Sequence, residues 1–229
     1  MKTRQLSRQQ KGQSMMEFNL ALPFLMPIIL VAMMMVAQWG FIYSSKSTLD
    51  AATMQAVRAG ALHHGSITEI RKGLAHGMMP LFAHGTDISD TVAAVVKSKI
   101  ATGIQSEIRI LNPDNQAFSQ FKVRSKYPNG YIYEIPNNNL MYRNPALRSV
   151  GNNRQLNVQD ANLLQIEVRW CQKLIVPFAN YVIEEIVTSV LYAPSLDQIA
   201  CNALGAATGD AFLALTSQGL MRMQTPFRM

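Results

Sequence analysis

The chain has 229 residues, enough for one domain of ordinary size plus a membrane segment. Hydrophobic residues make up 48% and charged residues only 15%, under the roughly 25% usual in soluble domains, and the deficit falls mainly in the first quarter. The net charge of +7 argues against nucleic-acid binding once it is located: Lys2, Arg4, Arg8 and Lys11 supply four of those charges in the acid-free residues 1–12, leaving +3 for the rest.

That basic leader precedes an apolar run. From Phe18 to Tyr43 no side chain is charged. As a helix this run is about 39 Å long, against about 30 Å of bilayer hydrocarbon, so it spans with some tilt. Trp39, Phe41 and Tyr43 gather at its far end as interfacial aromatics do. The basic residues hold the near end in the cytoplasm, which gives an N-in, C-out topology. A buried soluble helix fits less well, because the run is long and contains Pro23 and Pro27, which membrane helices tolerate better. A cleaved secretory signal also fits less well: its apolar region is about 7–15 residues and ends in a small-x-small site. Met33, Met34 and Met35 belong to lipid- or helix-facing packing, not to a metal site.

The border between leader and run reads Lys11-Gly12-Gln13-Ser14-Met15-Met16-Glu17-Phe18. A carboxylate at the edge of a membrane helix is costly without a partner. A cut after Gly12 would make Gln13 a new, positively charged amino terminus, and Glu17 could pair with that ammonium on its own chain or a neighbour. The arrangement resembles the class III signal of type IV prepilins. The resemblance implies that a prepilin peptidase cuts between Gly12 and Gln13 and leaves the helix attached.

The helix is expected to continue beyond the membrane, since Leu49, Ala52, Ala56, Val57 and Gly60 recur at three- and four-residue steps. Residues 1–12 are thus a leader, 13–62 a transmembrane and stalk helix, and 63–229 one outer domain. Ser66-Ile67-Thr68-Glu69 fits a capping box opening a helix that ends near Gly77 or Pro80. Ser89 or Asp90 starts another, with Val92, Val95, Val96 and Ile100, before Gly103. Alternation of Ile104, Ser106, Ile108 and Ile110 against Gln105, Glu107 and Arg109 predicts a strand. Phe121 with Val123, and Tyr131 with Tyr133 and Ile135, predict further strands around the Asn129-Gly130 turn signal. Residues 136–157 read as an exposed loop. Leu164, Ile166, Val168 and Trp170 form the inward side of a strand, and Ile183 to Leu191 is a strand or a short helix. Small residues leave Ser195 to Gly209 unassigned, and Gly219 to Pro226 supplies a final edge strand. The fold class is α+β, with a long N-terminal helix ahead of a mixed domain built on an antiparallel sheet.

Cys171 and Cys201 are too few for a disulfide scaffold or a cysteine-only zinc site. In a domain outside the cytoplasm they either form one bridge or remain buried thiols. His63, His64, His76 and His84 carry no metal-ligand spacing and read as surface residues. Glu184-Glu185 reads as a solvated face. Arg143, Arg148 and Arg154 sit in the Asn-rich loop, solvated or in contact with anionic polysaccharide. No nucleophile elbow or phosphate-binding loop occurs, so no enzyme activity and no cofactor are expected. The alternative is a membrane-tethered extracytoplasmic enzyme or ligand-binding module.

The segment SMMEFNLALPFLMPIILVAMMMVAQWGFIY resembles TadE-like minor pilins or pseudopilins of the Tad (Flp-type) pilus system. DANLLQIEVRWCQKLIVPF at 160–178 and the terminal MRMQTP are similar to stretches of that family. The resemblance implies a single-pass protein of the bacterial inner membrane with its C-terminal domain periplasmic or extracellular. Its implied partners are the prepilin peptidase, other Tad pilus subunits, assembly-platform proteins and inner-membrane lipid, with adherence, biofilm or secretion as the outcome. Gln13 departs from the Phe or Met that opens many mature type IV pilins. The outer domain is far larger than a major Flp pilin, which indicates a minor or accessory subunit.

Overall fold

The computed structural model describes residues 13–83, 85, 87–128, 130–151, 154–189 and 194–229. Its first element is a single helix, α1 (Gln13–Leu62), of 50 residues and about 75 Å. The helix runs unbroken through Pro23 and Pro27 and is long and apolar enough to cross a membrane. Its two halves meet different surroundings. Phe18, Phe24, Ile28 and Met33 are exposed, whereas Leu49, Ala52, Ala56, Val57 and Ala61 are fully buried. The stalk is therefore part of the head's own core.

Helix α2 (Ile67–Gly77) returns along α1 and packs on it through small residues. A Cβ on Gly77 would stand 2.5 Å from the Ala52 Cα, and one on Gly73 3.0 Å from the Ala56 Cα. Glycine is required there by the close approach of the two backbones. The expected capping box is not made: the Ser66 side chain caps nothing, and the Lys72 ammonium donates to Glu69 at 2.6 Å instead. Helix α3 (Ile88–Gln105) runs past Gly103, so Ile104 and Gln105 belong to the helix and the strand expected to begin at Ile104 starts at Ser106. The cause lies in Val92, Val96, Ile100 and Ile104, four residues apart, which prolong a helical ridge through the point where alternation begins.

Strands β1 (Ser106–Asn112), β6 (Leu163–Lys173) and β7 (Phe212–Arg222) form an antiparallel sheet in the order β1-β6-β7. Between β1 and β6 lie α4 (Asn115–Phe121), a hairpin of β2 (Val123–Tyr127) and β3 (Gly130–Glu134), and a short pair, β4 (Arg148–Ser149) and β5 (Gln155–Leu156). Phe121, expected in a strand, ends α4 because Asp114 caps that helix through the Ala117 N–H at 2.7 Å. The hairpin turns between Tyr127 and Gly130, and Asn129 lies outside the described residues. Leu140 and Val150 anchor the loop expected to be wholly exposed.

Leu164, Ile166, Val168 and Trp170 are buried in one core with Ala56, Val57 and Ala61 of α1. Fully burying Leu164, Ile166, Val168 or Val57 contributes about 1.5–3 kcal/mol each. Beyond β6, the stretch expected to be strand or helix is α5 (Ala179–Thr188), while residues 190–193 lie outside the described residues. The unassigned small-residue stretch is α6 (Leu196–Thr208), capped by the Ser195 hydroxyl and closed by Gly209 at φ +76°. The last strand begins at Phe212, ahead of the expected Gly219, and the chain beyond Arg222 leaves the sheet.

The sheet lies lengthwise along α1. At one end the Gln224 and Thr225 N–H groups donate to the Ala61 carbonyl. At the other, the segment after Lys173 reaches Gln38. From Gln38 to Ala61 the helix rises about 35 Å, and an eleven-residue strand spans about 36 Å. Strand and half-helix match in length.

Candidate functional site

Lys11 and Gly12 lie outside the described residues. On the other side of the expected cleavage border, Gln13 opens α1 and Glu17 lies within its first turns. Phe18 is 63% exposed, and the uncharged face continues through Phe24, Ile28, Met33 and Val36 without cover from the head. A soluble protein rarely leaves so long an apolar surface bare.

The bare stretch is interrupted at one residue. Gln38 is fully buried, and its Oε1 accepts hydrogen bonds from the N–H groups of Ile175 at 3.2 Å and Val176 at 2.9 Å. These donors would otherwise be left over where β6 ends. Two contacts thus tie the lower end of the head to α1: this amide, and Lys46, which donates to the Thr216 carbonyl at 2.8 Å. Between them, Trp39, Ile42 and Tyr43 face Leu213 to Thr216 across an apolar groove of about 520 Å³. Gln38 escaped the sequence reasoning, although an amide side chain set deep in an uncharged run, where the other one, Asn19, sits at the border, was its available signal.

On the other face of the sheet, Cys171 and Cys201 are joined as a disulfide, with Cα atoms 5.4 Å apart. The bridge fastens α6 to β6, and Phe212 and Leu204 pack around it. Closing a loop of this length stabilises by roughly 3–4 kcal/mol in the chain-entropy model. Beside it, Arg109 donates to Glu107 at 3.0 Å and Asp197 at 2.8 Å, and Arg169 reaches Glu107 at 2.9 Å. The Arg109 hydrogen bond holds the Glu107 carboxyl below its ordinary range, against the opposing effect of burial. An acid so paired is poorly suited to proton transfer at neutral pH.

The histidines are separate. His63 Nδ1 donates to the Ala59 carbonyl at 3.0 Å, and His76 lies 3.1 Å from the Met79 sulfur. His64, expected at the surface, is half-buried: its Nδ1–H donates to the Pro226 carbonyl at 2.8 Å and fastens the C-terminal tail. His84 lies outside the described residues. Among the described residues no three His, Cys, Asp or Glu side chains converge as metal ligands.

Arg143 and Arg148, with Lys122, line a cleft of about 320 Å³ whose lining holds no acid. Arg154 does not join them and pairs with Asp114 at 2.8 Å. The Arg143 guanidinium donates to Asn138, and Arg148 to the Gln120 carbonyl. Glu184 and Glu185 are exposed, as expected for a solvated face. Compared with protein-family models, with curated proteins and with solved structures, the chain gives no match.

Proposed function

We propose that this protein is a TadE-like minor pilin or pseudopilin of a Tad (Flp-type) pilus, cut by a prepilin peptidase between Gly12 and Gln13. The observation that carries this is the join of an acid-free basic leader, Gly12 and Glu17 to the bare stretch of α1 from Phe18, which has no charged side chain as far as Tyr43. A carboxylate at that position needs a cationic partner in a low-dielectric setting, and the amine freed at Gln13 supplies one. The exposed half of α1 is then a single span of the bacterial inner membrane, with the leader cytoplasmic and the head outside. Its proposed partners are the peptidase, other Tad pilus subunits and assembly-platform proteins. The role is structural, with α1 entering the assembly and the head priming, capping or anchoring it.

A second proposal, a membrane-tethered ligand-binding module, draws on the cation-lined cleft at Lys122, Arg143 and Arg148. It is less favoured because both arginines already donate to neighbouring backbone carbonyls.

The deciding experiment is the intact mass of the chain expressed with and without a prepilin peptidase. The expected mature chain starts at Gln13, and Gly12→Ala abolishes the cut. A chain that keeps Met1 beside an active peptidase defeats the proposal.

A further inference from the structure

The lower end of the head shows more apolar surface than its own packing uses. Ile175, Phe178, Tyr181 and Ile186 are exposed by 62%, 66%, 70% and 51%, while only Ala179 and Val187 of α5 are buried. In a water-facing loop and helix this is unfavourable. The segment's position supplies a reason. Gln38 holds the Ile175 and Val176 N–H groups against α1, so the segment starts at the level of that residue. From Phe18, twenty helical steps of 1.5 Å bring the chain to Gln38 after about 30 Å, the thickness of bilayer hydrocarbon. Trp39, Phe41 and Tyr43, all exposed, stand at the same height on α1.

We propose that Ile175–Thr188 is a second membrane contact, a foot that sinks its apolar side chains into the interface of the outer leaflet beside α1. This inference rests on α1 being a membrane span. The occupant is lipid because the patch continues the bare surface of α1 and begins where hydrocarbon ends. Residues 174–195 contain no Lys or Arg and two Glu, so attraction to anionic headgroups plays no part and neutral lipid suffices. The Glu184 side chain borders a groove with Asn202 and Gly205 on the α6 side. Glu185, four residues after Tyr181, is exposed on the apolar face itself, so the foot lies at headgroup level with that carboxylate in water and does not enter hydrocarbon. The contact fixes how far the head stands from the bilayer and which of its faces looks outward.

The test uses the full chain in phosphatidylcholine vesicles carrying nitroxides at shallow or deep acyl positions. The native cysteines are bridged, so an environment-sensitive fluorophore reacts only with an introduced thiol. Labels go on Phe178→Cys, Ile186→Cys, Phe24→Cys and Met141→Cys, the last 92% exposed and near the far end of the sheet. Ile175→Cys replaces Phe178→Cys if the latter misfolds, since Phe178 has φ +63°. The expected result is emission at 178 and 186 lost more to shallow than to deep nitroxides, as for side chains about 5–10 Å into the headgroup/acyl boundary, with 24 quenched by deep ones and 141 by neither. Quenching at 24 with 178 and 186 as insensitive as 141 overturns the foot and leaves the span intact. A blue-shifted label at 178 that nitroxides do not quench shows a protein occupant and also overturns it. Absence of quenching at 24 shows that the span itself is wrong, and the foot falls with it.

Discussion

Two residues illustrate how polar groups are placed in this fold. Gln38 is an acceptor set into an apolar helix, and it satisfies two N–H groups that have no strand to pair with. Glu134 is its counterpart at the other end. It is buried, and both the Tyr127 hydroxyl and the Arg228 Nε donate to it at 3.0 Å. Burial alone would raise its carboxyl, but donors from Ser125, Arg228 and Tyr127 outweigh that effect and hold it below its ordinary value of 4.5. The folded state therefore favours the charged form. The resulting stability is fully present above 4.5 and is lost as pH falls through the lowered folded value. We expect Glu134→Gln to lose roughly 1.5–3 kcal/mol at neutral pH and to show a flatter acid limb. Urea unfolding of the detergent-solubilised chain at neutral and acid pH measures both, and parallel acid limbs in the two proteins would refute it.

At the scale of elements, the α1–α2 contact depends on small residues. Gly77→Val drives side-chain atoms into the Ala52 backbone, which no rotamer change relieves, and costs about 1–3 kcal/mol. Thermal unfolding against the wild type reads this, and an unchanged midpoint would show that the helices are further apart. The same scale separates what could be read from the sequence from what could not. Strand β6 was legible because its alternation of buried and polar residues runs without a break from Leu164 to Trp170. Helix α6 was not, because its Ala, Gly and Asn residues give little periodicity. It is held from outside, by the Cys171–Cys201 bridge and by Gln198, whose side chain bonds the Phe212 carbonyl and the Ala214 N–H. At the candidate site, the border at Gly12 and Glu17 was visible as a change of charge and hydropathy. The Gln38 contact was not, since its partners are 137 and 138 positions away and meet it only once β6 has formed.

On the scale of the whole molecule, one helix serves two environments without a linker. The stretches at 160–178 and 221–226, far apart in sequence, come together because β6 and β7 pair over their full lengths and the tail folds back on Ala61 and His64. Both ends of the sheet are thereby fastened to α1. Rotational phase then becomes a property of the whole protein. One alanine inserted after Gly40, where no neighbour lies within 4 Å, would turn everything below by about 100° and advance it by about 1.5 Å. Gln38 would swing away from its two amides while the core around Leu49 to Ala61 stayed in place. Faster hydrogen exchange at Ile175 and Val176, with unchanged protection in β6, is the expected outcome; wild-type exchange at both would contradict it. Fastened to the head at Gln38, Lys46 and Ala61, α1 cannot turn about its own axis at those three levels without carrying the sheet round with it.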